Sequence, residues 1–223
     1  MTKISGIRIF AAILALTFIL SGCAIGFYKR SPNDIRKIED LRAEVERLKL
    51  LKEQESRELE NARAELEAKL KGEEGVSVGM DERGLVVTFI AEVLFDSGKA
   101  KIRTEADEVL DKVVNVINSQ VADRNIAIEG HTDNEPIKKS GWKSNWELST
   151  ARATSVLHYL EEKGTAPQRL QATGYGEYHP VDTNETKEGR QKNRRVEIII
   201  LPKMTKQETE FLKEHEKDSD FIK

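Results

Sequence analysis

Residues 129–153 read EGHTDNEPIKKSGWKSNWELSTARA, and two charged side chains stand there where apolar ones would be expected. Asp133 follows directly on an apolar strand pattern, and Arg152 interrupts a helical column that otherwise holds Leu148 and Val156. A guanidinium half-buried on such a column is costly unless an anion meets it. Two interpretations stay open from the residues alone. Asp133 and Arg152 form a salt bridge with each other, or they form opposite walls of a pocket for a zwitterion.

The segments around this stretch predict an α+β fold for a domain at residues 76–203. In chain order the predicted elements are a hairpin at 76–90, a helix opening at Thr104, a strand at 125–130, a helix from about Trp146 to Lys163, and strands at 169–174 and 194–201. This order is typical of a two-layer sandwich in which a mixed β-sheet carries helices on one face. Since Ser144 and Glu147 have capping-box spacing, the second helix should begin at Ser144 or Asn145.

A helical spacer is predicted before this domain, at residues 35–71, which contain neither Pro nor Gly. Its apolar residues recur at spacings of three and four, the pattern of a coiled-coil seam, on either side of a polar gap at residues 52–58 that breaks the register. They are Ile38, Leu41, Val45, Leu48, Leu59, Ala62 and Leu66. Such a helix would reach roughly 55 Å. It either joins copies of the chain as a homo-oligomer or stands alone as a solvated helix.

The first 22 residues have the pattern of a signal peptide, with Lys3 and Arg8 at its positive start. The uncharged apolar run at residues 9–20 is too short for a membrane-spanning helix. We therefore expect residues 1–22 to be a secretion signal.

The residues that end this signal, Leu20-Ser21-Gly22-Cys23, resemble the lipobox of bacterial lipoproteins. The resemblance implies cleavage before Cys23 and its acylation (palmitate among the acyl chains), with residues 23–34 as a lipidated tether. Several acyl chains would anchor the protein stably in a membrane. Lipoproteins that have Asp directly after the cysteine are retained in the inner membrane. This chain has Ala24 at that position, so the resemblance implies the outer membrane. The alternative is a cysteine that follows a signal peptide by accident.

Composition excludes some classes of function. The net charge of −3 shows no basic excess, so we expect no nucleic-acid partner. Cys23 is the single cysteine, which rules out a disulfide framework and a thiolate metal cluster. Residues 204–223 are a charged tail.

Four motifs in this order resemble the OmpA-like peptidoglycan-binding domain shared by OmpA, Pal and MotB. They are GHTD at 130–133, NWELSTARA at 145–153, GYGEYHP at 174–180 and NRRVEI at 193–198, and the resemblance covers about residues 84–201. It implies the α+β sandwich and a pocket for the free amino-acid end of diaminopimelate in the cell-wall stem peptide. The long loop before Asn145 is more similar to the MotB variant than to the short OmpA loop.

The resemblance also implies which residues bind this ligand. Asp133 would accept the ammonium and Arg152 would grip the carboxylate. The remaining candidates are Thr132, Asn145 and Leu148, which would line the site, and Asp96 and Arg195 as second contributors. Asn145 could instead cap the helix, and Arg195 could be a charge at a strand edge. No cofactor or metal is expected.

The function expected from these patterns is that of an outer-membrane lipoprotein, facing the periplasm, that binds peptidoglycan without catalysis. One alternative is an enzyme, a cell-wall hydrolase, because His131 and Asp133 form an H-x-D pair. Another is a wall-anchoring subunit of a motor or secretion machine. A motor stator needs a spanning helix that bears an acid, and residues 9–20 hold no charge.

Overall fold

The computed structural model describes residues 31–138 and 141–203. The predicted signal peptide, Cys23, most of the tether and the charged tail at 204–223 lie outside the described residues. Within those residues, no helix combines the length and the apolarity that crossing a membrane requires.

The helices and strands follow the predicted order, with two short helices added. They are α1 (Pro32–Lys69), β1 (Val76–Asp81), β2 (Gly84–Ile90), α2 (Ala91–Leu94), α3 (Asp107–Gln120), β3 (Ile126–Gly130), α4 (Asn145–Glu162), β4 (Leu170–Gly174), α5 (Lys187–Asn193) and β5 (Arg195–Ile200). A 3₁₀ turn, Thr104–Ala106, leads into α3 in place of the predicted side-chain cap at Thr104. The predicted cap of α4 is present, since the Ser144 hydroxyl accepts a hydrogen bond from the Glu147 amide.

The five strands form one mixed sheet in the order β1-β2-β5-β3-β4. All neighbours are antiparallel except β3 and β4, which run parallel with α4 as the connection between them. The predicted α+β sandwich is therefore confirmed.

Alternation along the strands separates the two faces of this sheet. In β5, Val196, Ile198 and Ile200 lie in the main core with apolar residues of α3 and α4, whereas Ile199 packs in a small cluster on the other face. Helices thus cover one face, and the residues between the apolar ones, such as Glu197, point to the opposite face.

The N-terminal helix differs from the expected spacer. The chain divides into two compact units, Met1–Lys49 and Leu50–Lys223, so the globular unit begins at Leu50 and not at residue 76. Leu59, Ala62 and Leu66 of α1 are buried in the main core. The sequence pattern identified this apolar column correctly but could not show that part of it packs against the domain.

A buried arginine adds polar contacts between α1 and the rest of the second unit. The Arg124 guanidinium donates hydrogen bonds to the carboxylates of Glu55 and Glu58, each at 3.1 Å. Lys203 binds Glu58 as well, at 3.0 Å. These ion pairs therefore join Lys203, the last described residue, and the Glu55–Glu58 turn of α1 within the second unit.

In the first unit, the described residues begin at 31 and form a solvated helix. Leu41, Val45 and Leu48 are exposed there. A seam between copies of the chain, expected from the sequence for residues 35–71, stays a prediction, and Leu59, Ala62 and Leu66 cannot contribute to it while they are buried in the second unit.

Candidate functional site

Two glycines allow helix α4 to cross closely over the carboxyl ends of β3 and β4. A Cβ atom at Gly130 would lie 2.1 Å from the Ser149 carbonyl oxygen, and one at Gly174 would lie 2.2 Å from the Thr150 hydroxyl. Side chains at both places would push the helix away from the sheet. This close crossing brings the start of α4 beside the residues that follow β3.

A cleft of about 360 Å³ opens at this corner. Its walls come from α2 and the loop after it, the loop after β3, the first turns of α4, and the residue before β5. The lining residues are Ala91, Glu92, Phe95, Ser97, Gly98, Thr132, Asp133, Glu135, Pro136, Ile137, Lys138, Asn145, Leu148, Arg152 and Arg194.

Arg152 is the most unusual residue of the cleft, because its guanidinium is buried and makes few contacts that offset the cost of burying its charge. The side chain is only 4% exposed, and burial lowers the pKa of the guanidinium to about 10. Its Nε donates to the Lys99 carbonyl at 3.0 Å, and the guanidinium carbon lies 5.3 Å from the centre of the Phe95 ring. Among the described residues no carboxylate forms an ion pair with it. The terminal N–H groups are thus available to an anion in the cleft.

Asp133 is paired with a different arginine. Its Oδ2 accepts from Arg194 Nη1 at 2.7 Å, and its Oδ1 accepts from the Glu135 amide at 3.2 Å. Arg194 is held in turn by Glu92, whose Oε1 lies 2.8 Å from Arg194 Nε. Burial favours loss of the Arg194 proton, but the bonds to Asp133 and Glu92 outweigh it and raise its pKa. The direct salt bridge between Asp133 and Arg152, one of the two interpretations, does not form.

Three further candidates line the cleft, each with a different contact. Thr132 is buried, and its hydroxyl has no hydrogen-bond partner in the part of the chain that the structure describes. Leu148 contributes an apolar wall. Asn145 does not cap the helix, since Ser144 does; its amide group instead donates to the carbonyls of Asp133 and Glu135, at 3.3 and 3.2 Å. Asn145 thereby fixes the loop that carries Asp133.

The two candidates proposed as second contributors lie outside the cleft lining. The Asp96 carboxylate is mostly exposed and pairs with Lys99 at 2.8 Å. Arg195 is buried on the opposite face of the sheet, where its Nε donates to Glu197 at 2.6 Å. Arg195 is therefore not an edge charge, but one half of a buried ion pair.

A second polar cluster surrounds His131 on that opposite face. Its imidazole is buried, stacks on Tyr175 with 5.3 Å between ring centres, and has no hydrogen-bond partner among the described residues. Burial lowers the pKa of His131 to about 3, so the ring is neutral at pH 7. Asp133 faces the cleft instead, so the two residues of the H-x-D pair do not share a site.

Glu129 and Glu197 approach this histidine, and possible ligand atoms of the three residues lie within 4.8 Å of one another. Both carboxylates are already held by arginine. Arg83 Nη1 lies 2.6 Å from Glu129, and Arg83 Nη2 lies 2.8 Å from Glu197 Oε2, at an angle that leaves this oxygen without a hydrogen bond. A metal ion would have to displace Arg83, so the cluster is better described as a charge network.

Arg194 and Glu92 are among the cleft residues that sequence reasoning missed. The alternation of β5 could have indicated Arg194, because Val196 and Ile198 are core residues on the helix-covered side and Arg194 precedes Val196 by two positions. Glu92 lies on a helix of only four residues, too short to show a period.

The family model described as "OmpA family" matches residues 94–194 of this chain. These residues contain most of the cleft, including Thr132, Asp133, Arg152 and Arg194.

Individual proteins are similar over a longer range. Motility protein B of Bacillus subtilis is 45% identical over 152 residues, which are 66% of this chain and 57% of that protein. A solved structure titled as a putative MotB-like protein from Desulfovibrio vulgaris superposes with a TM-score of 0.62 and is 31% identical, covering 68% of this chain and 96% of that one. The structure titled as the cell wall anchor of the T6SS from Pseudomonas aeruginosa gives a TM-score of 0.58 at 33% identity, covering 63% of this chain and 97% of that one. The chain spans little more than half the length of the first curated relatives that it matches.

Proposed function

Because this chain belongs to the OmpA family through the domain that contains residues 94–194, we propose that it binds peptidoglycan non-covalently through diaminopimelate of the stem peptide. The observation that carries the proposal is Arg152, a buried guanidinium beside an open cleft, whose terminal N–H groups have no hydrogen-bond partner among the described residues. Burying this charge is unfavourable, and an incoming carboxylate would offset that cost.

The cleft has the charges that a zwitterion requires. Arg152 would hold the ligand carboxylate through its planar fork. Asp133 would accept the ligand ammonium with the lone pairs that Arg194 and the Glu135 amide leave free. The Thr132 hydroxyl, which has no partner in residues 31–138 and 141–203, would complete the polar contacts, and Leu148 would pack on the aliphatic chain of the ligand. Arg194 and Glu92 would position Asp133.

The experiment that tests this function uses residues 24–223 and purified peptidoglycan. The protein should sediment with the wall material, and a free stem tripeptide ending in diaminopimelate should displace it. The matched control is the same tripeptide ending in lysine, whose side chain carries the ammonium without the neighbouring carboxylate. Since a bond to a charged group contributes about 1.5–3 kcal/mol, the lysine peptide should compete at least roughly tenfold less well. Equal competition by both peptides would contradict a zwitterion site.

The proposed membrane anchor is argued from the lipobox at residues 20–23. We propose an outer-membrane lipoprotein, anchored by acyl chains on Cys23, that links this membrane to the wall from the periplasmic side. Cys23→Ala should remain an uncleaved precursor or an unlipidated periplasmic protein. Intact-mass measurement on the wild-type protein checks this, because a mature species without acyl chains would overturn the anchor while leaving wall binding untouched.

A second candidate is a wall-anchoring subunit of a motor or secretion machine. It is favoured by the names of the similar proteins, a motility protein and a T6SS cell wall anchor. The wall-binding cleft would serve either role. Crosslinking in cells, followed by identification of the co-purified proteins, distinguishes them: a motor or secretion subunit should be captured with the rest of its machine.

A further inference from the structure

Two large aromatic side chains lie exposed close to Asn145 of the cleft wall and stack on each other. Trp146 is 47% exposed and Tyr178 is 61% exposed. Their ring centres are 5.0 Å apart, and the ring planes are inclined by 24°. Each ring covers one face of the other, and the exposed parts of both rings are available to a ligand.

The other tryptophan of the domain shows what a structural role would require. Trp142 is half-buried, and its indole N–H donates to the Gly98 carbonyl at 2.9 Å. Among the described residues, the Trp146 indole N–H makes no such bond, and its ring lies outside the core. About half of the Trp146 side chain is therefore open to solvent and to a ligand.

Contacts with the cleft wall hold the aromatic pair in place. Trp146 follows Asn145 and Tyr178 follows Glu177, and the Asn145 amide donates to the Glu177 carboxylate at 2.7 Å. Two hydrogen bonds at Gly176 hold the loop before Tyr178. The Gly176 carbonyl accepts from the Thr132 amide at 2.9 Å, and the Gly176 amide donates to the Ser149 hydroxyl at 3.0 Å. A ligand would meet a preorganised aromatic surface, so little ordering entropy would be lost on binding.

We propose that Trp146 and Tyr178 form a stacking platform for a sugar ring of the wall glycan, beside the cleft that takes the stem peptide. Hexose rings present a face of C–H groups with hydroxyls around the edge, and this face packs against aromatic rings. In peptidoglycan, two amino acids separate the sugar from diaminopimelate, a span of about 7 Å when extended. Because Trp146 directly follows Asn145 of the cleft lining, one ligand of this length would contact both surfaces. The inference rests on the proposed function and extends it from the peptide to the glycan.

The test compares two ligands by calorimetry on residues 24–223. One is the stem tripeptide ending in diaminopimelate, and the other is the same tripeptide attached to its disaccharide. The wild type should bind the glycosylated ligand roughly three- to tenfold more tightly, the range expected for one aromatic stacking contact. Trp146→Leu and Tyr178→Leu should lose this gain and keep the wild-type affinity for the bare tripeptide. Met80→Ala, which alters an exposed apolar side chain on β1, is the control and should keep the gain.

Each other outcome overturns the platform in a distinguishable way. If the wild type binds both ligands equally, the sugar makes no contact, although the proposed function stands. If the leucine variants keep the gain, the sugar binds elsewhere. If Trp146→Leu weakens both ligands by the same factor, Trp146 acts only by positioning Asn145. If the bare tripeptide does not bind to the wild type at all, the proposed function fails and the platform fails with it.

Discussion

Leu66→Ala should lower the free energy of unfolding by roughly 2–5 kcal/mol, the range for truncating a buried leucine. Leu66 lies on the N-terminal helix, yet it has 0% exposure and belongs to the same core as Leu85 and Leu110. The cavity left by the substitution would be enclosed on all sides, so the core could not relax around it cheaply. Urea unfolding of residues 24–223, followed by circular dichroism, measures the change.

Leu48→Ala is the matched control for this prediction. Leu48 is on the same helix and in the same periodic column, but it is 44% exposed. Its truncation should change the free energy of unfolding by no more than about 0.5 kcal/mol. Equal and small effects at both positions would contradict the assignment of residues from Leu50 onward to the globular unit.

These two leucines also show the limit of a periodic pattern. Spacings of three and four predict which side of a helix is apolar, and the buried Leu59, Ala62 and Leu66 lie on that side. The pattern holds no information on what covers that side. The partner of α1 is distant in sequence: Arg124 bonds to Glu55 across 69 positions. Such contacts depend on the tertiary arrangement, so the sequence predicted a free spacer where part of the helix belongs to the domain.

The sheet could be predicted because its strands have strong local signals. Residues such as those of β3 and β5 are β-branched or apolar and are bounded by turns, whereas α2 and α5 have only four and seven residues and show no recognisable period. In the cleft, Arg152 was identified because it interrupts an apolar helical column and Asp133 because it follows directly on an apolar strand. The resemblance to the OmpA-like domain implied their roles in binding. Arg194 and Glu92, 102 positions apart, meet only in the folded domain, so their pairing could not be predicted from local patterns.

Arg152→Met should weaken peptidoglycan binding at least roughly tenfold, since one charge-assisted contact contributes about 1.5–3 kcal/mol. Methionine keeps the length of the side chain and its packing on Phe95, but it removes the fork that would hold the ligand carboxylate. The melting temperature should stay the same or rise, because the folded protein no longer holds a buried charge without an ion pair. A residue that weakens the fold while enabling binding is typical of a functional site.

Asp133→Asn tests the other half of the zwitterion site and should also weaken binding, because the ligand ammonium loses its counter-charge. Arg194 keeps its bond to Glu92 in this variant, so the domain should remain folded. Lys101→Ala, which removes an exposed charge from the same domain, is the control for net charge and should bind as the wild type does. Sedimentation with peptidoglycan and thermal unfolding of each variant separate the two roles of the charges. If Arg152→Met and Asp133→Asn melt at lower temperature and yet bind the wall normally, these charges serve the fold, and the cleft is not the binding site.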